Sequence, residues 1–113
     1  MTATQQRLTF EEYLTYDDGS DTRYEFDDGA LVEMPPAIRL HRRIAQFLEE
    51  CFKREIERLG LQWETGRTDV GVKTQKQNGR TTVRYPDLVV FNASSLDGGE
   101  VDIIDFAPEI AIE

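Results

Sequence analysis

The run Pro86-Asp87-Leu88-Val89-Val90-Phe91 sets the tightest limit on what this chain can fold into. Four apolar residues in succession, with no polar residue alternating between them, read as a strand covered on both faces. Such a strand is central in its sheet. The proline ahead of it lacks an N–H for the ladder and fixes the approach of the backbone. With 113 residues, 39% of them hydrophobic, the chain has material for one modest core and is too short for two enzyme domains. One domain is expected over residues 1–113, and no apolar run approaches the ~20 residues of a membrane span.

The remaining elements follow from local patterns. Thr9 with Glu12 three residues on is a capping box ahead of a short helix, Leu8 to Tyr16. The acidic stretch from Asp17 to Arg23 is turn chemistry, and its spacing breaks the register of a calcium-binding EF-hand loop at once. Asp27-Asp28-Gly29 between Arg23–Phe26 and Ala30–Met34 marks a hairpin, ended by Pro35-Pro36. From Ile38 to Leu59, Leu40, Ile44, Phe47, Leu48, Cys51, Phe52, Ile56 and Leu59 fall at helical spacing, and Gly60 supplies the stop. That spacing predicts one long helix with a single buried stripe. Leu61 to Thr74 reads as a strand through Trp63 and the Val70/Val72 pair, and the Asn-Gly of Gln75–Arg80 turns it into Thr81–Tyr85. Asn92–Gly99 reads as loop, Glu100–Phe106 is ambiguous, and Pro108–Glu113 starts a further strand. The expected architecture is α+β, with a mixed sheet of about five strands, a hairpin and one long helix.

Charge is segregated. The chain carries -9 overall, but residues 1–38 and 85–113 hold -7 each, while residues 39–84 hold eleven bases against six acids. The whole does not look like a nucleic-acid coat, whereas the central belt is able to meet phosphate; scattered solvated charge gives the same count. A single cysteine, Cys51, permits neither an internal disulfide nor a cysteine-based zinc site. With no secretory leader in MTATQQRLTF, a cytoplasmic location is expected.

Two carboxylates stand out. Asp87 heads the apolar strand on a rigid approach, and Glu113 shares one face of its strand with Glu109 and Ala111, opposite Ile110 and Ile112. Adjacent strands bring both acids together, a donor set suited to magnesium or manganese, which bind through one or two carboxylates, water and a substrate phosphate. Acids at strand ends are also commonly solvated or bonded to loop amides. His41, the only histidine, opens the long helix and shares a side with Ile44, Ala45 and Leu48. It is a candidate active-site accessory or a plain surface residue. Glu25 and Glu33 in the hairpin are expected to face water. Lys73 and Arg84 are able to touch phosphate or merely to guard a strand surface. Trp63, Tyr85 and Cys51 read as packing residues.

Taken in order, LTFEEYL, RYEFDDGALVEM before two prolines, the His-led helix HRRIAQFLEECF, YPDLVVF and APEIAIE resemble the N-terminal two-thirds of the Uma-two family of restriction endonucleases. The resemblance covers almost the whole chain. It implies the PD-(D/E)XK nuclease fold, in which an Asp follows Pro and a second acid precedes a lysine by two residues. By this resemblance Asp87 and Glu113 would bind Mg2+ or Mn2+ in a DNA endonuclease, with His41 an accessory to the site. The residue after Glu113 and the lysine lie past the last residue, so the domain is expected to be incomplete there and the 113-residue chain inactive. The alternative is an inactive binding or assembly module that keeps the fold. Ile110 and Ile112 on an uncovered strand further suggest a homodimer across the sheet edge.

Overall fold

A computed structural model describes residues 7–36, 38–96 and 103–113. Helix α1 spans Phe10–Leu14, and its capping box is made as expected: Thr9 Oγ1 accepts from the Glu12 amide at 3.1 Å, and the Thr9 amide donates to Glu12 Oε1 at 2.8 Å. Strands β1 (Tyr24–Asp27) and β2 (Ala30–Glu33) form the expected hairpin. Asp28 and Gly29 at its turn both take positive φ, 48° and 101°, the pairing that matches the natural twist of a two-residue hairpin. Helix α2 runs Arg39–Leu59 and ends at Gly60, which is left-handed with φ 66°. Then come β3 (Trp63–Gly66), β4 (Gly71–Gln75), β5 (Thr81–Arg84), β6 (Leu88–Asn92), β7 (Ile103–Ile104) and β8 (Ile110–Ile112). The loop expected over Asn92–Gly99 contains a short 3-10 turn at Ala93–Ser95, and its residues from Asp97 onward lie outside the described part.

The fold is mixed α and β with one long helix, as the sequence suggested. Its strands divide into two sheets. The larger is ordered β2-β1-β5-β4-β7, antiparallel except where β7 runs parallel to β4, and the smaller is ordered β3-β6-β8, antiparallel throughout. The strand expected over Leu61–Thr74 is in fact two strands, one in each sheet. Asp69 Oδ1 accepts from the Arg67 amide and the Val70 amide closes on the Arg67 carbonyl, turning the chain between them. Gly66 makes this turn possible, because a Cβ there would come within 2.3 Å of Val70 Cγ2.

Strand β6 is central in its sheet, and Leu88, Val89, Val90 and Phe91 are all buried, as an apolar run without alternation requires. Val89 and Phe91 pack with Ile104 of β7, Val70 and Val72, so the smaller sheet covers the β4–β7 end of the larger one. A second core lies under α1, where Tyr13, Phe26 and Val83 meet. Tyr13 stacks on Phe26 with ring centroids 5.0 Å apart, and its hydroxyl donates to the Tyr24 carbonyl. Burial pushes the Tyr13 phenol well above its ordinary range.

Helix α2 packs on β3 and β6. Its inner face carries Ala45, Leu48, Glu49, Phe52 and Ile56. Glu49 is a polar tie within that contact, accepting from Thr65 Oγ1 at 2.8 Å and lying 3.6 Å from Arg67. The single buried stripe expected of this helix is therefore only half realised. Leu40, Ile44 and Phe47 sit about 130° round the helix from Ala45, Phe52 and Ile56 at 3.6 residues per turn, and they remain exposed.

Candidate metal centre

The chain passes from the larger sheet to the smaller through Tyr85, Pro86 and Asp87 alone, between the end of β5 and the start of β6. Two faces meet there. On β5, Val83 points into the core under α1, while Thr82 and Arg84 alternate to the opposite face, which they share with Glu25 and Asp27 of β1. Beyond the part that the smaller sheet covers, this face is an open polar shelf. A recess of about 270 Å³ in it is lined by Glu25, Asp27, Val32, Lys76, Arg80 and Arg84, among others.

The register of the smaller sheet settles how the two acids lie. Leu88 faces Ile112 and Val90 faces Ile110 across β6 and β8, so Asp87 and Glu113, the next residues on each strand, stand across from each other at the same end. Both fall on the Val89–Ala111 side, the side turned to the larger sheet. Asp87 is half-buried and Glu113 exposed. Glu113 Oε1 lies 3.7 Å from Arg84 Nε, tying the end of β8 to the polar shelf.

Glu25 is half-buried and not simply solvated. One of its carboxylate oxygens accepts the Tyr85 amide at 2.7 Å, a bond to the backbone two residues ahead of Asp87. Pro86 has no amide to offer, so Glu25 takes the last free N–H before the acid and fixes the approach. The sequence carried a faint sign of this. Glu25 alternates with Tyr24 and Phe26, and once Phe26 is buried a neighbour on the other face must point across the sheet toward β5. Glu33, by contrast, is exposed as expected.

The other cations divide. Lys73 stands on the α1 side of β4, opposite Val83, with its ammonium 4.0 Å from the centre of the Phe10 ring, so it is committed to packing and kept from the shelf. Arg80 donates from Nε and Nη2 to Asp27 Oδ1, at 3.1 and 2.7 Å, and holds that carboxyl below the usual carboxylate range. Lys76 forms no ion pair among the described residues. His41 is exposed in the first turn of α2. Its helix end is on the Asp87 side of the smaller sheet, because the Arg42 carbonyl accepts from Arg67, which follows Gly66, and Gly66 pairs with Val89. The β6–β8 register, carried one residue further, sets Asp87 opposite Glu113, and His41 lies at the same end of the sheet, on the helix covering its other face.

A larger hollow, about 770 Å³, is elsewhere. It lies under α1 among Phe10, Tyr13, Tyr24, Lys73 and Tyr85, and neither acid lines it.

Residues 10–113 match the Uma2 family, whose description is "Putative restriction endonuclease". The chain belongs to this family. No curated relative matches it. The family covers both acids and every element from α1 to β8, and the divided sheets with one long helix are consistent with a restriction-endonuclease-like fold. The donor chemistry also fits the divalent cation that such nucleases generally use. Two carboxylates on one face, with Arg84 beside one of them, make a hard oxygen site in reach of solvent. Among the described residues no group of three or more acids, histidines or cysteines converges.

Proposed function

We propose that this Uma2 protein is a divalent-metal-dependent nuclease acting on DNA, with Asp87 and Glu113 holding Mg2+ or Mn2+. The observation that supports the reading most is the β6–β8 register, which sets Asp87 and Glu113 across from one another where two sheets meet. The cation, when bound, supplies neutralisation of phosphate charge and activation of water. The protein's own groups do the rest. Asp87 is aimed by a strand buried on both faces and by the Glu25 bond behind it. Arg84, Arg80 and Lys76 on the shelf offer positive charge along the path by which a phosphate backbone would reach the acids. Arg84, 3.7 Å from Glu113, would be free to pair with phosphate where Glu113 held the cation. His41, on the covering helix at the same end of the sheet, would act as an accessory.

Binding of a fluorescent DNA duplex, followed by anisotropy with and without Ca2+, tests this reading without requiring turnover. Ca2+ is expected to tighten binding in the wild type and to have no effect in Asp87→Ala. Arg84→Ala should weaken binding and flatten its salt dependence by about one unit of slope. Binding that ignores Ca2+ in both proteins would remove the metal site, and no binding at low salt would remove DNA.

A further inference from the structure

Helix α2 carries two apolar faces, and only one has a partner. The inner one rests on β3 and β6. On the outer one Leu40, Ile44 and Phe47 are 62%, 49% and 61% exposed, and Cys51 continues the line half-buried. Their spacing of four, three and four residues is that of a seam between two helices, and three large side chains left in water along one line cost more than isolated surface apolar residues do. Two charges flank this seam on the same side, Arg43 and Glu50, seven residues apart. Neither takes part in an ion pair among the described residues.

We propose that this face is where two copies of the chain pair, with their α2 helices antiparallel about a two-fold axis. Antiparallel packing that seats Ile44 against Phe47 of the second copy also sets Leu40 against its Cys51 and Arg43 against its Glu50. The two-fold repeats each contact, so one seam gains two ion pairs. Parallel packing would instead set Arg43 beside the second copy's Leu48 and Glu50 beside its Glu55, gaining no ion pair, and the charges thereby choose both the orientation and a second copy as occupant. The seam from Leu40 to Cys51 is about 17 Å long, which is short for the roughly 800 Å² per partner of a standard interface. The dimer is accordingly expected to dissociate in the micromolar range. This contact is independent of the nuclease reading, and it puts the two-fold on α2 where the sequence had suggested the β8 edge.

Sedimentation equilibrium over a range of concentrations, combined with charge exchange, tests it. The wild type should show a monomer–dimer equilibrium, Arg43→Glu and Glu50→Arg should each weaken it about tenfold or more, and the two together should restore it. Leu40→Cys adds a readout of orientation. On mild oxidation the introduced thiol should link to the partner's Cys51, and it cannot reach Cys51 of its own helix about 17 Å away. A wild type that stays monomeric at all concentrations overturns the proposal, the face then belonging to a different partner or another stretch of polypeptide. So does a double variant no better than the single ones, or a wild type that links through Cys51 to Cys51, which would mean parallel helices.

Discussion

Strands β5 and β6 are neighbours in sequence, separated by Tyr85, Pro86 and Asp87, yet β5 buries one residue of its four and β6 buries four of its five. Strand β5 separates a core from a polar shelf, and its residues alternate accordingly: Val83 inward, Thr82 and Arg84 outward. Strand β6 has the larger sheet on one side and α2 on the other, so every position from Leu88 to Phe91 is apolar. The difference sets the acid at the hand-over apart from its neighbours on either strand. Asp87 has an immobile strand behind it and an open, charged surface before it, and a carboxylate inside either strand would lack one of the two.

The sharpest way to break this comparison is to truncate both strands. Leu88→Ala, at a fully buried position, should cost about 2–5 kcal/mol in chemical denaturation, while Thr82→Ala on the shelf should stay within about 1 kcal/mol. Comparable losses would mean that β5 is packed as β6 is, contrary to the account. Next in size is Gly66→Ala, whose Cβ would collide with Val70 where the chain turns from the smaller sheet to the larger. A loss of about 1–3 kcal/mol is expected, and Val70→Ala in the same protein should return part of it, a non-additivity that thermal unfolding of the four proteins would reveal.

Glu25→Gln probes the hand-over itself. Replacing the carboxylate weakens its bond to the Tyr85 amide, with an expected loss of about 1 kcal/mol. The more telling effect is on Asp87, since divalent binding should weaken although Glu25 holds no metal. Smallest is the pH dependence. Arg80 lowers the Asp27 carboxyl below its unfolded value, so this pair adds stability above the ordinary carboxylate range and loses it as pH falls through the folded value. Asp18 behaves alike, lowered by its bonds to Ser20. At the alkaline end the sign reverses. Burial raises Tyr13, and a bond to Asp18 pushes Tyr24 up to about 12, so their contribution is complete below pH ~10 and fades above it as the unfolded chain ionises first. Stability curves should therefore be flat through neutral pH and fall at both ends; Asp27→Asn should shallow the acid limb alone.

What the sequence revealed depended on how local the cause was. The capping box at Thr9, the positive-φ turn at Asp28-Gly29, the stop at Gly60 and the doubly covered β6 each follow from a few adjacent residues, and each is found as expected. Pairings between distant segments were harder to read. The break at Arg67–Val70 depends on the fit of Gly66 against Val70, and the role of Glu25 depends on β1 lying beside β5. Helix α2 shows the limit of periodicity most clearly, because apolar spacing counts candidate faces and does not say which of them the rest of the chain will cover. The two acids were legible as types and positions, and adjacent strands were expected to bring them near each other, while the residue-for-residue register of β8 on β6 depends on a pairing between distant segments that no local pattern carries.

Manganese binding by Asp87→Asn, Glu113→Gln and the double variant, each titrated calorimetrically beside the wild type, tests the central claim most directly. If Asp87 and Glu113 hold one ion together, each single change should weaken binding at least tenfold, and the double change should cost far less than the sum of the two. Singles that bind as the wild type does, or losses that simply add, would show that the two acids do not form one site.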